Sequence, residues 1–174
     1  MAEKITAGEI TFEQMSEEQA VKTFQEDAYF EYNKRRVRYG DSLPPNSIWA
    51  TIPATMFVAF YKGTPVGIVG FSRYKGVLLG AGVHIRREYR GRGLLDILID
   101  KAIKEKRSRT LYINIANQRI ANNYRAKGFK DMNKDELPED VKQELGDIRY
   151  TDQVQKLLSH SSPKWQQVLK RRRG

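Results

Sequence analysis

Arg90-Gly91-Arg92-Gly93 is the stretch of this chain whose residue types and spacing could do chemistry. It follows an apolar, glycine-bearing run from Val77 to Ile85 and opens onto an amphipathic pattern, with Leu95, Leu98, Ile99 and Ala102 on one face. The spacing predicts strand, basic loop, helix. The first amides of a helix lack internal partners and carry the positive end of its dipole, so such a loop can hold a phosphate. Glycines at 91 and 93 would let phosphate oxygens reach those amides and would allow positive φ. Arg90 and Arg92 would add mobile positive charge. A plain helix-entry loop has the same pattern, so the motif by itself leaves both readings open.

The rest of the chain sets what this loop can be part of. Its 174 residues suit one domain spanning 1–174. Cysteine is absent, which removes disulfides, thiolate metal sites and a cysteine nucleophile together. With only His84 and His160, a histidine-rich metal site is excluded as well. No stretch has the about 20 apolar residues that cross a bilayer, and the N-terminal residues lack a signal-peptide core, so a cytoplasmic protein with no membrane partner is expected. The formal charge of +10 favours polyanionic partners, a phosphorylated cofactor or a nucleic acid, although part of it lies in the tail Lys170-Arg171-Arg172-Arg173.

In chain order, Glu9 to Met15 alternates as a first strand, and Ser16 with Gln19 forms a capping box for a helix expected to run to Arg36 or Tyr39 and stop at Gly40. The proline-punctuated residues 41–55 read as a loop bordering an acceptor site. Met56 to Tyr61 and Pro65 to Tyr74 form a hairpin over Lys62-Gly63-Thr64. A turn at Lys75-Gly76 then leads into the opening strand. After the helix at Gly93, Thr110 to Ala116 is a fifth strand, parallel to the fourth through a right-handed crossover. Ile120 to Lys127 is a short helix ended by Gly128, and Phe129 turns back into the core. Arg149 to Val154 reads as a last strand, and Ser161 to Lys164 as the start of a terminal helix.

Two separated segments resemble the GNAT superfamily of acetyl-CoA-dependent N-acetyltransferases. Arg90 to Leu95 is similar to that family's pyrophosphate loop, Q/R-x-x-G-x-G/A. Asn117, Tyr124 and Gly128-Phe129 are similar to its later signature of an asparagine, a tyrosine seven positions on, and G-F four and five after that. With the upstream hairpin, the resemblance covers about residues 9–130. Leu95 departs from the family's Gly or Ala, which crowds the last backbone approach to a phosphate, and Ala121 stands one place late.

The resemblance implies an α+β (mixed α/β) fold, a mostly antiparallel central sheet whose parallel fourth and fifth strands splay apart, flanked by helices. It implies acetyl-CoA as cofactor, with Ile85, Arg87, Arg90, Gly91, Arg92, Gly93, Leu94, Leu95 and Asn117 holding it. Gly80 and Gly82 then fit where the fourth strand bulges or is closely approached. A backbone N–H near Ile85 would polarise the thioester carbonyl. Tyr124 would protonate the departing thiolate, since a phenol stays protonated at neutral pH. The amine must lose a proton, and His84 beside the strand end has a suitable intrinsic pKa, with Glu88 a second candidate. The implied activity is direct transfer of acetyl to an amine of an unidentified acceptor, without a covalent enzyme intermediate. The basic charge keeps open a GNAT-fold enzyme that modifies transfer RNA or DNA bases, as phage DNA-modification proteins do, or a non-catalytic nucleic-acid binder.

Overall fold

The computed structural model describes residues 2–24, 54–74, 76–115, 118–136, 138–139 and 156–160. Among them are seven strands: β1 (Ile10–Ser16), β2 (Ala54–Tyr61), β3 (Thr64–Tyr74), β4 (Val77–Ile85), β5 (Leu111–Ile115), β6 (Lys130–Asp131) and β7 (Lys156–His160). The α-helices among the described residues are α1 (Glu17–Thr23), α2 (Leu94–Lys106) and α3 (Gln118–Ala126). The strands form one sheet in the order β1-β2-β3-β4-β5-β7-β6, antiparallel except for the β4–β5 pair. This is the mixed fold that the sequence predicts, parallel pair included.

Local chemistry accounts for the connections. Lys62 and Gly63 both have positive φ, 49° and 77°, the two-residue turn whose twist matches a hairpin. The capping box at α1 is present: Gln19 N–H donates to Ser16 Oγ at 3.2 Å, and Ser16 N–H donates to Gln19 Oε1 at 3.0 Å. The helix does not continue to Arg36, however. It ends at Thr23, with Phe24 leaving helical geometry at φ −105°, ψ 14°. Phe24 is fully buried, and placing its ring in the core takes this residue out of helical geometry where no glycine or proline announces a stop. The rest of that expected helix, the loop at 41–53, the strand at 149–154, the terminal helix and the basic tail lie outside the described residues.

The sheet separates two apolar layers. On one face Leu94, Leu98, Ile99 and Ala102 of α2 pack with Val69, Phe71, Ile113 and, from α3, Ala121 and Tyr124. On the other, Ala20 and Phe24 pack with Met56, Val58 and Ile68. The buried stripe of α2 is anchored by Leu94, 1% exposed, while Leu95 is half-buried. It also includes Lys106, which the basic exit pattern does not foretell. Lys106 Nζ donates to the carbonyls of Arg107 and Arg109, capping the helix end, and burial lowers its pKa.

The β4–β5 junction is where the sheet is designed to open. The strands pair only at Leu78↔Leu111 and Leu79↔Tyr112, although β4 continues to Ile85 and β5 to Ile115. At the branching point, a Cβ on Gly80 would lie 2.7 Å from Ile113 Cγ2 and 3.4 Å from Tyr112 O. Immediately beyond, the register moves from Phe71↔Gly80 to Gly70↔Gly82, leaving Ala81 as a bulged residue that bends β4 away. We expect Gly80→Ala to cost about 1–3 kcal/mol through overpacking, read as a lowered midpoint in denaturant unfolding with unchanged slope. A midpoint equal to wild type would mean that Ile113 moves freely at the junction.

Candidate functional site

The open edge of β4 can be assigned atom by atom. Arg86 N–H donates to Val66 O of β3 at 2.9 Å. Successive residues of a strand direct their backbone groups to opposite edges, so Val83 and Ile85 direct theirs away from β3, toward the gap. Ile85 O on that side accepts from Arg90 Nε at 3.1 Å. Its N–H remains on the edge where a carbonyl could be polarised. Arg87 follows in a single 3-10 turn, Arg87–Tyr89, which carries the chain from the strand to the glycine loop.

Gly91 and Gly93 adopt φ of 74° and 86°, conformations that side chains resist. Gly93 is the N-cap of α2 and supplies no side-chain acceptor. Among the described residues, no acceptor takes the backbone amides of Gly91, Gly93, Leu94 or Leu95. Asp96 in the first turn does not bond to them either. These donors stand with the positive end of the α2 dipole in the loop that follows the open edge of β4, and they suit an anion carried on an extended arm.

The two arginines are not the mobile charges that the sequence predicts. Arg90 is tethered to Ile85 as above. Arg92 Nε donates to Glu3 O at 2.8 Å, and its guanidinium lies over the rings of Tyr61 and Tyr89, at 5.4 and 5.5 Å. In both, the nitrogen nearest the stem is used to hold the loop.

Tyr124 of α3 is 4% exposed and meets Phe129 edge-on, with centroids 4.9 Å apart and planes at 87°. The signature residues Gly128 and Phe129 explain this position. Gly128, at φ 95°, ends the helix so that Phe129 folds back, its N–H donating to Tyr124 O at 3.1 Å. Arg125 fixes the same turn, gripping both carboxylate oxygens of Asp131 and donating to Asn122 Oδ1 at 2.6 Å. Among the described residues no hydrogen bond engages the Tyr124 hydroxyl, and burial pushes its pKa well above the ordinary tyrosine value. Asn117 lies outside the described residues.

His84 falls on the other face. It is 8% exposed and meets Phe24 edge-on at 6.0 Å, in the layer under α1. The two candidate proton carriers thus flank the sheet from opposite sides. Next to His84 on that face is Arg86, a residue the sequence does not single out. Its guanidinium stacks over Phe24 at 5.4 Å, and its enclosed Nε has no hydrogen-bond partner among the described residues. The N-terminal segment was equally silent as sequence. Ile5 is 5% exposed, and its N–H donates to Arg92 O at 2.9 Å; the only sign of this is one aliphatic residue in a polar stretch.

Comparison with known proteins gives this architecture a context. The model of the acetyltransferase (GNAT) family matches residues 14–129, more than half of the chain. No curated protein matches the sequence. Among solved structures, N-acetylglutamate synthase from Neisseria gonorrhoeae, complexed with coenzyme A and N-acetyl-glutamate, superposes at TM-score 0.62 and 14% identity. The match covers 92% of this chain but only 36% of the synthase. The ribosomal-protein-S18-alanine N-acetyltransferase of Escherichia coli matches at TM-score 0.53 and 13% identity, over 87% of this chain and 93% of that one. A GNAT family acetyltransferase from Elizabethkingia anophelis with acetyl-CoA bound matches at TM-score 0.54 and 13% identity, over 88% and 99%. At these identities the neighbours share the fold. The family match, the parted parallel strands and the glycine loop capping α2 together establish that this chain belongs to the GNAT family and is an acyltransferase.

Proposed function

We propose that this protein transfers acetyl from acetyl-CoA directly to an amine, with both substrates bound at once. The observation that carries this reading is the unclaimed amides of Gly91, Gly93, Leu94 and Leu95 at the N-terminus of α2, together with the parting of β4 from β5. The diphosphate fits there against the N-terminus of α2, and the thioester arm fits along the open edge of β4. Ile85 N–H is on that edge and would stabilise charge developing on the carbonyl oxygen.

The proton inventory follows from the two faces. The amine nitrogen forms a bond to the carbonyl carbon, the carbon–sulfur bond breaks, and the thiolate takes the proton of the Tyr124 hydroxyl. The phenolate is restored by proton exchange with solvent after release. The proton leaving the amine passes to a base on the opposite face, where His84 is the candidate. No residue needs to become acylated, which agrees with the absence of cysteine.

Calorimetric titration with acetyl-CoA tests the cofactor half of this proposal, and binding is expected. Incubation with isotopically labelled acetyl-CoA and separate pools of small amines, peptides, transfer RNA and DNA tests the other half, read by mass spectrometry. Label on one pool identifies the acceptor class, including a nucleic acid if the basic surface serves that purpose. Absence of binding would overturn the reading.

A further inference from the structure

We infer that residues 2–5 belong to the cofactor site, and that Arg92 is a positioning residue which couples them to the glycine loop. This rests on the acetyl-CoA reading above but assigns Arg92 a different task from contacting phosphate. Ile5 N–H donates to Arg92 O at 2.9 Å. In a trans peptide the carbonyl and the following N–H point in opposite directions. Tying Arg92 O to Ile5 on the inner side therefore turns the Gly93 N–H outward, into the row of free donors.

The Arg92 side chain closes the same connection. Its Nε donates back to Glu3 O at 2.8 Å, and the guanidinium is held over Tyr61 and Tyr89. Main chain and side chain of one residue thus grip the N-terminal segment at two points. The segment is itself secured. Ile5 is buried in the core against α2, and Thr6 begins a capping box in which its N–H and hydroxyl both donate to Glu9 Oε2 at 2.9 Å. Those two bonds, from backbone first and side chain second, hold the Glu9 carboxyl below its usual pKa. A loop with two left-handed glycines has many conformations to lose, and this support removes them before the ligand arrives.

The test compares coenzyme A, which carries the diphosphate, with S-acetylpantetheine, which does not, by titration into three proteins. These are wild type, a variant lacking residues 2–5, and Arg92→Lys. The deletion removes one acid, Glu3, and one base, Lys4, and so leaves net charge unchanged. Both variants are expected to bind coenzyme A about tenfold more weakly and S-acetylpantetheine as wild type does. Combining the two changes should give little further loss, because both break the same connection.

Lysine keeps the charge but lacks the planar fork that stacks and reaches Glu3, so it should not rescue binding. Unchanged coenzyme A affinity in the deletion variant would overturn the inference. So would equal losses for both ligands, which would indicate general destabilisation, or full affinity in Arg92→Lys, which would make residue 92 a simple phosphate contact. Failure of the wild type to bind coenzyme A would instead sink the acetyl-CoA reading on which the inference stands.

Discussion

Tyr124→Phe should lower the turnover number for acetyl transfer by about 10²–10⁴-fold, the usual worth of a positioned acid, while acetyl-CoA affinity stays within about twofold. The substitution deletes one oxygen. Ring volume is conserved, and the edge-on contact with Phe129 survives, so folding should be unaffected. Nothing among the described residues is hydrogen-bonded to that hydroxyl, so removing it orphans no described partner. Turnover at saturating acetyl-CoA and direct titration together separate the two quantities. An unchanged turnover number would take Tyr124 out of the mechanism and return it to the core as a packed aromatic.

The direction of the Tyr124 pKa shift adds a pH signature. Only the protonated phenol can supply a proton, and burial raises the pKa above the ordinary tyrosine value of about 10. Loss of the acid form is thereby moved to higher pH. The wild-type rate should consequently show no alkaline fall from this group below about pH 10. An alkaline limb in the neutral range that vanishes in Tyr124→Phe would contradict this placement.

Sequence made the centre of the protein legible because short-range rules govern it. Strand alternation, the Lys62-Gly63 turn, the Ser16–Gln19 box and Gly128 ending α3 each depend on neighbours a few residues away. The Gly91 and Gly93 backbones followed from the same reasoning. What escaped was decided by long-range contacts. No local pattern could show that Arg92 would turn from the loop to meet Glu3 and two tyrosines, or that Lys106 would be buried over the end of its own helix. The α1 boundary was missed for a related reason, since the core position taken by Phe24 ends a helix that its local sequence would extend. His84 is an intermediate case. Alternation fixes its face, but only packing shows that this is the face opposite Tyr124.

Gly93→Ala should weaken acetyl-CoA binding by tenfold or more, on the order of a further 1.4 kcal/mol beyond any effect on folding. A left-handed conformation costs an alanine roughly 1–2 kcal/mol, and the φ of Gly93 is 86°. The added carbon meets no clash on the protein side, with Ile5 O in ordinary van der Waals contact at 3.8 Å. The strain would therefore be relieved by rotation of the turn, and rotation misdirects the amides on either side of it. Gly76→Ala is the matching control. Its φ is 83°, a Cβ there meets nothing within 4 Å, and it lies in the turn between β3 and β4. Both variants should lose similar stability in denaturant unfolding, because the backbone penalty is the same. Only Gly93→Ala should lose affinity, because only there does the left-handed residue aim donors at a ligand. Parallel losses of affinity in the two variants would show that binding tracks global stability, whereas full affinity in Gly93→Ala would remove the glycine loop from the cofactor site.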